Sequence, residues 1–158
     1  WGMFFLDCIF LKRDWTRDKA HIESLFARFG SEDIPLFLVS FVEGTRFRSS
    51  KLARAQEFAR QRGLHVPQHT LVPRTKGVLA TLHGLGDHLD AVYDVTLAYE
   101  RTPAPSLLDC YAIRVSRIDI HVTRYPLSEL PLGDEAALDA WVRDCYQKKD
   151  AWLAEHHG

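Results

Sequence analysis

Glu43-Gly44-Thr45-Arg46 sets one carboxylate and one guanidinium on a glycine turn, directly after the apolar pair Phe41-Val42. Such a turn is suited to holding an anion: glycine reaches backbone conformations closed to other residues, and a guanidinium meets a phosphate through two parallel hydrogen bonds. The plain alternative is an exposed turn closed by a local Glu43–Arg46 ion pair. Downstream, Leu71-Val72-Pro73-Arg74-Thr75-Lys76-Gly77-Val78 ends a short apolar segment with a proline and gathers two cations around Thr75.

Both motifs need elements to present them. Ile34 to Val42 is mostly Leu, Val and Phe, which reads as a buried strand of a parallel sheet with its loop at the ligand-binding carboxyl end. Thr16 to Phe29 reads as an amphipathic helix with Ile22, Leu25, Phe26 and Phe29 on one face, stopped by Gly30. Ser49-Ser50 can cap a basic helix over Lys51 to Arg62, ended by Gly63, whose Lys51, Arg54, Arg60 and Arg62 read as a solvated face. Lys76 to Leu85 predicts a helix starting at the Pro73 turn, its free N–H groups aimed at the same anion as the cations.

The alternation of Ala91 to Tyr99 predicts a strand, with Asp94 a structural anchor. Ala112 to Arg124 predicts a half-exposed strand with a bulge between Val115 and Ile118, and Asp134 to Leu153 a closing helix. The fold class is therefore α/β, a mixed and mostly parallel sheet flanked by helices.

At 158 residues and 46% hydrophobic content the chain makes one domain, 1–158, with a substantial core. Lys+Arg 20 against Asp+Glu 21 gives no global attraction for nucleic acid, so anion binding must be local. Cys8, Cys110 and Cys145 lack the spacing of a zinc site or disulfide framework and read as small buried apolar residues in a reducing, cytosol-facing setting. No run reaches the ~20 apolar residues needed to cross a bilayer, and Trp1, Phe4, Phe5, Ile9 and Phe10 are read as packing against the domain.

Ile9-Phe10-Leu11-Lys12-Arg13-Asp14-Trp15, Phe41 to Phe47 and Leu71 to Val78 resemble, in order and spacing, the second, third and fourth sequence blocks of the glycerolipid acyltransferases, the family of the 1-acylglycerol-3-phosphate acyltransferases. Ala91 to Leu97 and Trp141 to Asp150 are similar to the branch containing the lysophosphatidate and lysocardiolipin enzymes, so the likeness covers most of the chain. It implies a glycerol-3-phosphate acyltransferase-like fold and acyl transfer from acyl-CoA, a co-substrate, to a lysophospholipid such as lysophosphatidate, with no cofactor and no metal. It implies that Arg46 holds the acceptor phosphate, supported by Lys76 and Arg13. Gly44 would allow close approach, Glu43 would orient Arg46 or bind the acceptor, and Thr45, Pro73 and Gly77 would complete the set.

One block departs from the pattern. The family opens with His-x-x-x-x-Asp, whose histidine is the implied general base, and no histidine here has an aspartate at that spacing. His83 with Asp87, or His88 with Asp90, is a rival base at the wrong spacing, in a stretch that reads as a helix end. With Trp rather than Met first, the expectation is a chain lacking an amino-terminal portion that carries the base and a membrane-embedding segment, inactive alone, its domain on the cytosolic side of a membrane. The competing reading is a catalytically silent phosphate- or lipid-binding module.

Overall fold

The computed structural model describes residues 24–32, 35–99, 105–112, 114 and 117–156. Helix α1 covers 24–31, α2 Ser49–Gln61 and α3 Thr75–Leu85, which runs into a 3-10 turn at Gly86–His88. Strand β1 (Ala91–Tyr99) follows, then the short α4 (Leu107–Tyr111), β2 (Ile118–Pro126), a second 3-10 turn at Leu127–Glu129, and α5 (Glu135–His156).

The long closing helix organises the rest. Asp134 caps it, its Oδ1 accepting from the N–H groups of Ala136 and Ala137 at 2.9 and 3.0 Å. Leu138, Val142, Cys145 and Leu153 recur on the inward side and are buried. Leu138 and Val142 meet Leu79 and Leu82 of α3 and Leu127 and Leu130 of the second 3-10 turn in the main core, against which Val42 and Tyr146 also pack. A smaller core joins Phe26 of α1 to Leu85.

The two strands form an antiparallel ribbon in register from Ala91 opposite Pro126 to Tyr99 opposite Ile118. Its inner side lies on α5: the Tyr125 and Trp141 rings meet edge to face at 5.3 Å, and Lys149 Nζ reaches Asp94 at 2.5 Å and donates to Val95 O and Thr96 Oγ1 at 2.9 Å each. Asp94 is thus the anchor read from its position in the strand, and Cys145 is buried as expected.

Several expectations are corrected. Among the described residues the sheet is this antiparallel pair, not a mostly parallel one, and the mixed α/β class stands in that coarser form. Residues 35–41 join no ladder, and Phe37 and Phe41 are 83% and 85% exposed. An apolar run signals a need for burial but does not encode which strand pairs with it, and a parallel sheet has both faces covered by other elements. On β2 the apolar side faces outward, with Ile118, Ile120 and Val122 exposed opposite Leu97 and Val95.

The second helix starts at Ser49 rather than being capped by Ser49-Ser50: Arg48 holds the cap position with no side-chain bond. Arg13, Cys8, residues 16–23 of the first predicted helix, Trp1 to Phe10 and part of the predicted bulge lie outside the described residues. No helix among the described residues is long and apolar enough to cross a membrane.

Candidate functional site

The two motifs meet through their backbones. Arg74 N–H donates to Val42 O at 2.8 Å, and Leu71 N–H donates to Glu43 Oε1 at 3.1 Å. The expected local Glu43–Arg46 pair does not form; the carboxylate turns inward and staples the glycine turn to the segment before Pro73. Burial pushes the Glu43 carboxyl above its ordinary value, and the Leu71 bond and Lys149 oppose that rise without cancelling it. The Glu43 carboxylate thus contacts the backbone of the second motif.

Gly44 closes a turn in which its N–H donates to Phe41 O at 2.9 Å, with φ at +66°. The left-handed backbone favours glycine, and a Cβ built there would lie 3.0 Å from Cδ of Arg74, so that side chain would have to shift slightly. Gly44→Ala is expected to cost about 1–2 kcal/mol from the left-handed conformation alone and to push Arg74 aside. Urea unfolding reads the loss, and an unchanged midpoint would refute the requirement.

Thr45 Oγ1 accepts from Lys51 Nζ, the ammonium of the first turn of α2. Arg46 follows the turn and is exposed, and Lys76 is exposed on the first turn of α3. Neither has a carboxylate partner among the described residues. Pro73 leads into Arg74, which holds the cap position of α3 with no side-chain bond to it, and Gly77 has open space beside it. Thr75, between the two cations, is buried. Burial of Asp139 opposes its ionisation, but bonds from Arg143 and the Thr75 hydroxyl prevail and hold its carboxyl below the usual range, fixing the start of α3 to α5.

Sequence reasoning missed three participants. Arg74 was read only as part of a cluster and Lys51 only as a solvated cation, although Lys51 follows the Thr45 turn at the six-residue spacing of its bond. The third is Asp150, buried on α5, which collects the loop leading into the second motif. Its two oxygens accept from the N–H groups of Gln68, His69 and Thr70 and from the Thr70 hydroxyl at 2.8–3.1 Å, and His65 Nε2 lies 3.0 Å away. These partners lie about 80 positions away in the chain, beyond any local pattern.

His83, Asp87 and His88 line a cavity between α1 and α3 together with Phe26 and Gly30, apart from the two motifs. Among the described residues no group of three His, Cys, Asp or Glu is placed to hold a metal. The two motifs thus meet at a stapled turn with exposed cations, Arg46 and Lys76, beside it.

Residues 111–158 match the family described as Acyltransferase C-terminus. Over 157 residues and 99% of its length the chain is 35% identical to 1-acyl-sn-glycerol-3-phosphate acyltransferase 2 of Arabidopsis thaliana, and over 159 residues 38% identical to acyltransferase 3 of the same plant. It is 32% identical over 157 residues to the human 1-acyl-sn-glycerol-3-phosphate acyltransferase delta. The chain spans 40%, 42% and 41% of those three relatives. No solved structure matches it. A mixed α/β chain with a stapled cationic turn and this run of relatives defines an acyltransferase segment. The chain belongs to the glycerolipid, or 1-acylglycerol-3-phosphate, acyltransferase family.

Proposed function

We propose that this chain supplies the headgroup-holding part of an acyltransferase that moves an acyl group from acyl-CoA to the free hydroxyl of lysophosphatidate, giving phosphatidate. The hydroxyl oxygen attacks the thioester carbonyl, a C–O bond forms as the C–S bond breaks, and the proton passes through a base to the departing thiolate. The chain's part is placement: Arg46 grips the acceptor phosphate, Lys76 adds charge, and Arg13 supports them. Glu43 keeps the two motifs in register. The observation that carries this reading is the stapling of Glu43 to Leu71 N–H, which brings the Gly44 turn against Arg74 while leaving Arg46 and Lys76 without acidic partners among the described residues.

The finer fold assignment belongs to the same reading. The apolar segment 35–41 completes a glycerol-3-phosphate acyltransferase-like sheet in the whole protein, which sits at a membrane with this domain facing the cytosol. No cofactor is required. The second reading is a silent module that binds phosphate or lipid without transferring an acyl group.

In the protein that carries this segment, Arg46→Ala is expected to raise KM for lysophosphatidate about tenfold or more, in the range of a lost charged hydrogen bond, with a smaller effect on kcat. Arg46→Lys restores charge but not the fork and recovers only part. Unchanged acceptor kinetics in both variants would remove Arg46 from the site. Acceptor binding without any coenzyme A release, even when a histidine base is present in the tested protein, would select the silent module.

A further inference from the structure

Two cations from separate elements converge on one dipeptide. Arg74, at the entry to α3, runs its side chain along Gly44, with Cδ, Nε and Cζ at 3.0, 3.3 and 3.5 Å from the position a Cβ would occupy. Lys51, from α2, places its ammonium on the Thr45 hydroxyl oxygen. Because that oxygen accepts from Lys51, the hydroxyl proton of Thr45 is left to donate to something else.

The charge at this point is not balanced from within. Arg60, Arg114, Arg117, Arg143, Lys148 and Lys149 each meet a carboxylate. Among the described residues Lys51 and Arg74 meet none, and Glu43, the acidic group of the turn, has its carboxylate directed to Leu71 N–H instead. A turn that spends its carboxylate on the backbone while drawing in two further cations is arranged for an anion from outside.

We infer that Lys51 and Arg74, with the Thr45 hydroxyl, form a subsite for a phosphate monoester beside Arg46, an inference that rests on the acyl-transfer reading for the identity of its ligand. A monoester carries a charge of about −1.5 to −2 at neutral pH, more than one guanidinium neutralises. Arg74 offers a planar fork and Lys51 a mobile point charge, so together they can follow a phosphate group on three sides. Lysophosphatidate presents such a group on its glycerol, and coenzyme A presents one on its ribose.

Calorimetric titration of the chain with lysophosphatidate, with monoacylglycerol of the same acyl length, with coenzyme A and with its 3′-dephospho form tests this. Lys51→Gln and Arg74→Gln are each expected to weaken lysophosphatidate binding about tenfold, corresponding to ~1.4 kcal/mol, and to leave monoacylglycerol unchanged. Arg62→Gln, which removes an exposed cation just past the far end of α2, serves as the control and is expected to change nothing. Circular dichroism checks that each variant folds. Weakening confined to coenzyme A, and absent for its 3′-dephospho form, upholds the subsite while overturning the headgroup reading. Parent-like binding of every ligand by both variants, with Arg46→Ala still weakening lysophosphatidate, overturns the subsite and leaves the headgroup reading intact. Equal weakening by Arg62→Gln overturns the subsite as diffuse charge.

Discussion

Asp150→Ala is expected to lower the unfolding free energy by about 3 kcal/mol or more, because it strands the buried N–H and hydroxyl of Thr70 at ~1–3 kcal/mol each, together with the part-buried N–H groups of Gln68 and His69. The carboxylate lies on α5, 4% exposed, and takes three backbone N–H groups and the Thr70 hydroxyl. Asp150→Asn retains one acceptor oxygen and turns an amide NH2 toward the remaining donors, so it is expected to recover only part. Urea unfolding with an unchanged slope measures both, and a parent-like midpoint for Asp150→Ala would refute the anchoring role.

The same group makes stability depend on acid. Burial opposes its ionisation, but the His69 and Gln68 N–H groups, the His65 ring and the Thr70 hydroxyl outweigh that and hold its carboxyl below the ordinary value. A depressed carboxyl stabilises the fold fully above its unfolded value of about 3.9 and loses that contribution as pH falls through its lower native value. The parent should therefore lose its advantage over Asp150→Ala below about pH 4, and an advantage that stays constant into strong acid would show that the charge is not what holds the loop.

The second large effect is in the main core. Leu138 is fully buried against Leu79, Leu82, Leu127, Leu130 and Val142, so Leu138→Ala is expected to cost about 2–5 kcal/mol through lost transfer energy and the cavity left behind. Leu138→Met, close in volume, should cost under about 1.5 kcal/mol. This core is what seats α3 on α5 and with it Thr75 and Lys76. Hydrogen exchange in the Leu138→Ala protein should rise across α3 as well as near the substitution; a rise confined to α5 would separate the core from the motif.

What the sequence makes legible follows the range of the interaction. Ala91–Tyr99 falls where its alternation predicts, and the closing helix begins at the Asp134 cap, because these patterns are read within a few residues. The outward facing of Ile118, Ile120 and Val122 was not legible, since alternation reveals that a strand has two sides but not which of them another element covers. Residues 35–41 illustrate the same gap. In the candidate site, the two motifs and their cations stand out by residue type. The inward turn of Glu43 and the nest around Asp150 do not, because each joins segments far apart in the chain.

The ribbon carries one practical consequence. Tyr93, Val95 and Leu97 lie across from Arg124, Val122 and Ile120, so its outer side is oily for most of its length, and among the described residues no further strand pairs with either rim. Surfaces of this make-up adhere to their own kind, rim to rim and side to side. Because such adhesion slackens on cooling, concentrated solutions of the chain should turn cloudy when warmed and clear again on ice.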